Sequence, residues 1–416
     1  MCIILALLLY RTALFLYKLG ARIAAPFSKK ISLFVSGRKN LLNTISSEVK
    51  GDEPVIWFHC PSVGEFEQAR PIIERYKERG GTSKILLTFF SPSGYELRKN
   101  YPHADWVFYL PMDSKRNAAK FLDAVNPQMA VFVKYDYWYF YLTQLKKREI
   151  PTYIVSAIFR EEQPFFKSWG NLWREMLGCF TTLYVQNQDS ATLLLWQGVK
   201  NVVVAGDTRF DRVSDIVKGA AASNETVERF VEGKRVMVAG STWSEDEMRI
   251  SSAIREGNLK IVLAPHEVYQ DHLSKIDEIF SGYKVVRYTQ NPSEEELKGA
   301  DILVIDCIGL LSSLYRYGEF AYIGGGFGAG IHNILEAATY GKGVIFGPKY
   351  YKFQEAKDLI ALGGAVTYTT DSELRSIFDE WAKYPEKLQE ASKISKKYVE
   401  DNQGASDIFL KNVFSL

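Results

Sequence analysis

The sequence predicts an α/β protein: two doubly wound domains in series, preceded by an apolar N-terminal helix. Short, continuously apolar runs rich in β-branched and aromatic residues recur from Val55 onward. Stretches with helical spacing separate them, the alternation that a parallel sheet covered on both faces produces. At 416 residues, 47% hydrophobic and 24% charged, the chain has the composition of a folded protein and is too long for one core.

The N-terminal stretch "MCIILALLLYRTALFLYKLGARIAAPF" is apolar from Cys2 to Tyr10 and from Thr12 to Tyr17, with Arg11 between. A membrane-spanning helix needs about 20 apolar residues. Arg11 and Lys18 make the stretch borderline, but both side chains can snorkel to a lipid headgroup. The net charge of +2 hides an asymmetry, because seven basic residues (Arg11, Lys18, Arg22, Lys29, Lys30, Arg38, Lys39) precede the first acid, Glu48. Basic residues flanking an apolar helix mark the cytoplasmic side and attract anionic lipid. We therefore expect residues 1–24 to form a membrane anchor with the body in the cytoplasm. A signal peptide cut near "ARIAA" and a buried helix of the first domain are the competing readings.

Seven strands are predicted up to Gly206: "VIWFHC", "KILLTFF", "WVFYL", "MAVFVKY", "TYIVSAI", "LYVQN" and "NVVVAG". Seven more follow: "RVMVAGS", "KIVLAP", "YKVVRY", "DILVID", "FAYIGGG", "GVIFGP" and "GAVTYT". The polar, strand-free segment after "GDTRFD" places the domain boundary between Gly206 and Ser223. The four cysteines are scattered without metal-ligand spacing, so neither structural zinc nor a disulfide framework is expected. Basic residues of the body are dispersed among acids, which gives nucleic-acid binding little support.

In such sheets ligands bind beyond the carboxyl ends of the strands. "HCPSVGEFEQARP" leaves a strand and enters a helix at Glu65, which reads either as an ordinary first-turn acid or as a proton acceptor. Glu67 falls on a different side of that helix and keeps the structural reading. "TFFSPSGYE" presents Ser91, Ser93 and Gly94 at another helix start, where N-capping is the simpler role. "VKYDYWYFY" places Lys134 and Asp136 at a strand end, and "GDTRFD" places Arg209 near the domain boundary. In the second half, "YIGGGFGAGIHNILEAATYGKGVIFGP" runs from a strand through five glycines into a helix expected near His332-Asn333. Glycines there let the backbone approach a ligand, and a helix start offers N–H groups to a phosphate; Glu336 could bind ribose hydroxyls. A glycine-rich turn required only for packing is the alternative. "LAPHEVY" and "DCIGLLSSLY" add Pro265, His266 and Ile308-Gly309-Leu310 at neighbouring junctions, and together they suggest a nucleotide site.

Six stretches, in order and spacing, resemble the 3-deoxy-D-manno-octulosonic acid (Kdo) transferases: "HCPSVGEFEQARPII", "TFFSPSGYE", "VVVAGDTRFD", "VMVAGSTWSEDE", "DCIGLLSSLY" and "GGGFGAGIHNILEAATYGKGVIFGPKYYKFQEA". The resemblance runs from the N-terminal helix to about residue 400. It implies a GT-B fold, with an acceptor-binding domain over 25–212 and a CMP-sugar-binding domain over 213–416. The implied activity is inverting transfer of Kdo from CMP-Kdo to the lipid A precursor at the cytoplasmic face of the inner membrane, without metal or cofactor. Carried over by position, Glu65 is the general base, while Asp136 and Arg209 stabilise the transition state. The CMP contacts fall on Pro265, His266, Ile308, Gly309, Leu310, Asn333, Ile334, Leu335 and Glu336. The chain departs from the family where Lys134-Tyr135-Asp136-Tyr137-Trp138-Tyr139 replaces Glu-Thr-Glu-Leu-Trp-Pro. It departs again at Arg209 for lysine, Leu310 for glutamate and His266 for arginine. These departures leave open another nucleotide-sugar donor, and a membrane-associated nucleotide-binding protein without transferase activity is the remaining alternative.

Overall fold

The computed structural model describes residues 3–50, 53–219, 223–254 and 259–416. Two compact units emerge, Met1–Arg212 with Gln403–Leu416, and Val213–Asn402.

The first unit opens with helices α1 (Ile3–Ala24), α2 (Lys29–Ser36) and α3 (Leu41–Glu48). Its strands are β1 (Val55–Cys60), β2 (Lys84–Phe89), β3 (Trp106–Tyr109), β4 (Met129–Val133), β5 (Thr152–Ala157), β6 (Thr182–Val185) and β7 (Val202–Val204). They form one parallel sheet in the order β3-β2-β1-β4-β5-β6-β7. The crossovers are α4 (Val63–Glu78), α5 (Pro92–Arg98), α6 (Lys115–Val125), α7 (Tyr139–Lys147), α8 (Asn171–Leu177) and α9 (Gln188–Trp196). Every residue of β1 is buried, which its uninterrupted apolar run requires of a strand covered on both faces. Ile56 and Phe58 pack beneath α4 with Phe66, Ile72 and Ile73. Trp57 faces the other way, its ring 4.8 Å from Phe121 of α6 and 5.6 Å from Tyr141 of α7. The order reverses between β1 and β4, so a crevice for ligand lies at their carboxyl ends.

Helix α10 (Thr208–Gly219) carries the chain onward to α11 (Glu225–Val231). The second unit has β8 (Val236–Thr242), β9 (Lys260–Pro265), β10 (Val285–Arg287), β11 (Ile302–Val304), β12 (Phe320–Ile323), β13 (Gly343–Phe346) and β14 (Ala365–Thr367). Their parallel order is β10-β11-β9-β8-β12-β13-β14, reversing between β8 and β12. The helices between them are α12 (Ser244–Ala253), α13 (Gln270–Ile279), α14 (Glu294–Gly299), α15 (Leu311–Leu314), α16 (Leu335–Ala338) and α17 (Gln354–Leu362). Helices α18 (Asp371–Lys383), α19 (Pro385–Asp401) and α20 (Ala405–Phe414) close the chain.

Three features differ from the sequence expectation. The second unit ends at Asn402 instead of 416, because α20 returns to the first unit. Phe409 and Leu410 join the cluster beneath α4, and Asp211 caps α20 by accepting from the amides of Gly404 (2.6 Å) and Ser406 (2.7 Å). The described part of the expected 1–24 anchor, from Ile3 onward, belongs to the first unit and does not stand apart from it. One face of α1 is docked there: Ala6 is buried, the Tyr10 hydroxyl donates to Asp113 Oδ2 (2.7 Å), and Tyr17 packs on Phe34 and Phe90. Its other face exposes Ile4, Leu8, Phe15 and Ile23. Finally, Arg38 turns inward and donates to the carbonyls of Phe34, Phe90 and Leu110 at 2.7–3.1 Å, so it does not join the basic surface.

Candidate active site

The first unit brings Glu65 and Asp136 to neighbouring strand ends at its switch point. Ser62 is the N-cap of α4, its Oγ accepting from the Gly64 amide at 3.2 Å, and the same hydroxyl donates to Glu65 Oε2. Glu65 is the third residue of the helix and half-buried. That is the position of a capping-box acid, but its carboxylate is hydrogen-bonded by the Ser62 hydroxyl and not by the N-cap amide. Glu67, by contrast, is tied to Arg98 and Arg212 at 2.8 Å each, which accounts for it structurally.

Asp136 follows β4 in a segment that begins with Lys134 in the left-handed region (φ 63°). A lysine pays steric strain there, and such strain collects at functional sites. Asp136 Oδ2 accepts from Trp138 Nε1 at 2.7 Å and is in contact with His59 Nε2. His59 ends a buried chain: its Nδ1 lies 2.8 Å from Thr88 Oγ1, and that oxygen accepts from Trp57 Nε1 at 2.8 Å. The sequence alone assigns His59 no role. Its position at the end of a buried strand, two residues after Trp57, was the available signal.

Arg209 stands as an ion pair, not an isolated cation. Its Nε donates to Asp207 Oδ2 (2.8 Å) and its amide to Asp207 Oδ1 (3.0 Å). Gln68, one turn past Glu65 on α4, donates to the same carboxylate at 2.8 Å. Burial pushes Asp207 up, but the Arg209 charge and these hydrogen bonds hold it below the usual carboxylate range.

In the second unit the expected nucleotide residues line the adjoining carboxyl ends of β11, β9, β8 and β12. Ile308 (88% exposed), Gly309 (φ 102°) and Leu310 follow β11, and Pro265 and His266 end β9. The His266 ring stacks between Trp243, which follows β8 (4.8 Å, 29°), and His332, which follows β12 (4.3 Å, 23°). Trp243 Nε1 donates to His332 Nε2 at 3.2 Å, so His332 carries its proton on Nδ1. Burial, with neighbouring His266, pushes His332 from 6.5 down to about 4. The part played by Trp243 was not assigned from sequence, since nothing in "STWS" reveals its partners 23 and 89 residues away. Asn333 donates to Glu336 at 2.9 Å and accepts from the Leu335 amide at 3.2 Å, while Ile334 and Leu335 are buried.

The glycine stretch differs from the expected phosphate cradle. The helix after it starts at Leu335 and is four residues long, so it contributes little dipole. The amide of Gly325 donates to Asp246 Oδ2 (2.9 Å), that of Gly324 to the Gly240 carbonyl (2.9 Å) and that of His332 to the Gly324 carbonyl (3.1 Å). Asp246, buried, also accepts from the Trp243 amide (3.0 Å) and the Tyr322 hydroxyl (2.8 Å), and so pins the loop to β8 and β12. The glycines answer to the protein's own backbone. A Cβ on Gly324 would lie 2.3 Å from the Ser241 carbonyl oxygen, and one on Gly326 would lie 2.6 Å from Gly347 Cα.

Two seven-stranded parallel units in series, each with its polar groups at a switch point, make this a GT-B glycosyltransferase fold. A UDP-GlcNAc 2-epimerase from Neisseria meningitidis, solved with UDP-GlcNAc bound, shares the architecture: TM-score 0.63 and 16% identity over 87% of this chain and 99% of that one. Residues 36–212 match the family described as 3-deoxy-D-manno-octulosonic-acid transferase (kdotransferase). A 3-deoxy-D-manno-octulosonic acid transferase of Aquifex aeolicus is 26% identical over 76% of this chain and 82% of its own. A bifunctional glycosyltransferase/methyltransferase of Fusobacterium nucleatum is 28% identical over 80% of this chain, which spans about half (52%) of that protein. By these matches the chain is similar to the Kdo transferases, by family model over residues 36–212 and by relatives over most of its length.

Proposed function

We propose that the protein transfers Kdo from CMP-Kdo to the lipid A precursor, with inversion at the anomeric carbon. The observation that carries this is Glu65: a half-buried carboxylate at the β1 switch point, oriented by Ser62 and lying inside the family-matched segment. An acceptor hydroxyl attacks the anomeric carbon, its proton passes to Glu65, and the bond to the CMP phosphate breaks as the sugar gains oxocarbenium character. A positioned carboxylate contributes roughly 10²–10⁴-fold to such a step. Asp136 opposes the developing positive charge, and Arg209, held by Asp207, is the cation for the donor's anionic groups. Pro265, His266, Ile308, Gly309 and Leu310 take the base side of CMP, and Asn333, Ile334, Leu335 and Glu336 its ribose and phosphate side.

The acceptor is a lipid, and Ile3–Phe27 is long and apolar enough to cross a membrane, with mean hydropathy 1.7. The exposed apolar face of α1, with exposed Arg11, Lys18, Arg22, Lys29, Lys30 and Lys39, supports attachment to the anionic cytoplasmic face of the inner membrane.

A second reading, transfer from a different nucleotide sugar, is favoured by His266 standing in a Trp243–His332 stack where the family has arginine. Ranking CMP, UDP and GDP by the thermal stabilisation they confer separates the two, since a ligand of the native state raises its melting temperature. For the main reading, the test is Glu65→Gln assayed for CMP release with lipid acceptor; turnover near wild type would remove Glu65 as the base.

A further inference from the structure

His59 is a fully buried polar side chain near the first unit's strand ends, 0% exposed, and its neighbours settle which of its nitrogens bears a proton. It lies on β1 in register with Thr88 of β2, and Asp136 follows the neighbouring β4, so a chain of polar groups links β2, β1 and the segment after β4. Trp57 Nε1 can only donate, and it donates to Thr88 Oγ1. Thr88 then has its own hydrogen to give. The His59 Nδ1 contact, at 2.8 Å, is much shorter than the 3.4 Å to the Phe58 carbonyl. With Thr88 donating to Nδ1, the imidazole proton resides on Nε2, pointed at Asp136. An Asp136 carboxylate, which only accepts, asks for that same tautomer. The 3.3 Å approach of Trp138 Nε1 to His59 Nε2 is then a by-product of both groups converging on Oδ2, where the Trp138 bond is 2.7 Å.

Given the proposed role of Asp136, on which this rests, we propose that His59 is a positioning residue that fixes the Asp136 carboxylate for the transfer reaction. Among the described residues, the hydrogen bonds and ion pair of Asp136 all end on Oδ2, so Oδ1 is the oxygen turned to a ligand. Asp136 sits in a short segment that starts from a strained Lys134, and its side chain is 13% exposed. Such a segment needs an anchor in the rigid sheet, and β1 supplies it through His59. The directed series Trp57 to Thr88 to His59 to Asp136 polarises each bond in the same sense, which strengthens the last one. Its remaining partner, Trp138, belongs to the same segment, so His59 is the partner that the sheet supplies.

The test is a double-mutant cycle on the full chain in lipid or detergent, with kcat and KM for CMP-Kdo measured for His59→Leu, Asp136→Asn and both together. Misplacing a reacting group by about 1 Å costs on the order of 10²-fold. His59→Leu is therefore expected to lower kcat by 10- to 100-fold with KM for CMP-Kdo within threefold. Adding it to Asp136→Asn is expected to lower kcat by less than threefold more. His59→Gln, whose amide can present an N–H near the Nε2 position, is expected to recover most of the rate. Full multiplicative losses, or a normal kcat in His59→Leu beside a slow Asp136→Asn, would overturn the positioning role and leave that of Asp136 standing. A normal kcat in Asp136→Asn would overturn both. Should His59→Leu not fold, histidine ¹⁵N NMR of the wild type decides: a proton on Nε2 is expected, and a proton on Nδ1 alone refutes the assignment.

Discussion

Replacing Asp246 by alanine tests whether the glycine segment is held as the structure shows. The Asp246 carboxylate accepts the amides of Gly325 (2.9 Å) and Trp243 (3.0 Å) and the hydroxyl of Tyr322 (2.8 Å), and the residue is 1% exposed. The Tyr322 hydroxyl keeps a second partner, Tyr368, at 2.8 Å, so its loss is softened. The two amides have no such alternative, and each buried donor left unsatisfied costs about 1–3 kcal/mol. Losing both costs roughly 2–6 kcal/mol, a large part of the stability of a domain of this size. Urea unfolding, followed by intrinsic tryptophan fluorescence, should show the transition of the second unit moved to lower denaturant while that of the first stays in place. CMP should then stabilise the variant less than the wild type, because Trp243 and the 324–332 loop shift together. Asp246→Ala unfolding within 0.5 kcal/mol of wild type, the ordinary range for surface changes, would refute the pinning role.

The glycines themselves divide by what surrounds them. Gly326→Ala forces a Cβ to 2.6 Å from the Gly347 backbone and should cost about 1–3 kcal/mol, whereas Gly328→Ala, whose nearest neighbour lies at 3.7 Å, should melt within a degree or two of wild type; equal losses would show that the loop packs differently. Asp113 is pushed up from 3.8 to about 6, chiefly by burial. The native state therefore takes up its proton before the unfolded state does, and this group's contribution favours folding as pH falls through that window. Between pH 7 and 5 wild type should gain about 1 kcal/mol relative to Asp113→Asn in urea titrations, and parallel pH profiles would contradict the shift. His332 acts in the opposite sense. Held down at about 4, it stays neutral while the unfolded chain protonates below 6.5. Its contribution is complete above that value and is lost toward pH 4, so His332→Asn should flatten the acid limb of the second unit's stability profile.

The strands were open to sequence reading because most are short, predominantly apolar runs of the kind a doubly covered parallel sheet buries; all fourteen runs from "VIWFHC" to "GAVTYT" form strands. The return of α20 was not legible. Its apolar spacing shows that Phe409 and Leu410 are buried but not beneath which helix, and the Asp211 cap lies 193–195 residues away. The strand-end placement of Glu65, Asp136, His266 and Gly309 followed from where motifs break off into turns. The fate of the glycine amides did not, because Asp246 accepts from Gly325 across 79 residues. Arg209 lies between these cases. Asp207 stands two residues before it in "GDTRFD", so the ion pair was within reach of a local reading that looked only at the cation.

The most direct measurement is mass spectrometry of the lipid after incubating the protein with CMP-Kdo and lipid A precursor. The expected product is heavier by one or more Kdo residues, with CMP released in step, and neither change with Glu65→Gln. An unmodified lipid beside intact CMP-Kdo, from protein that is folded and membrane-bound, would contradict it.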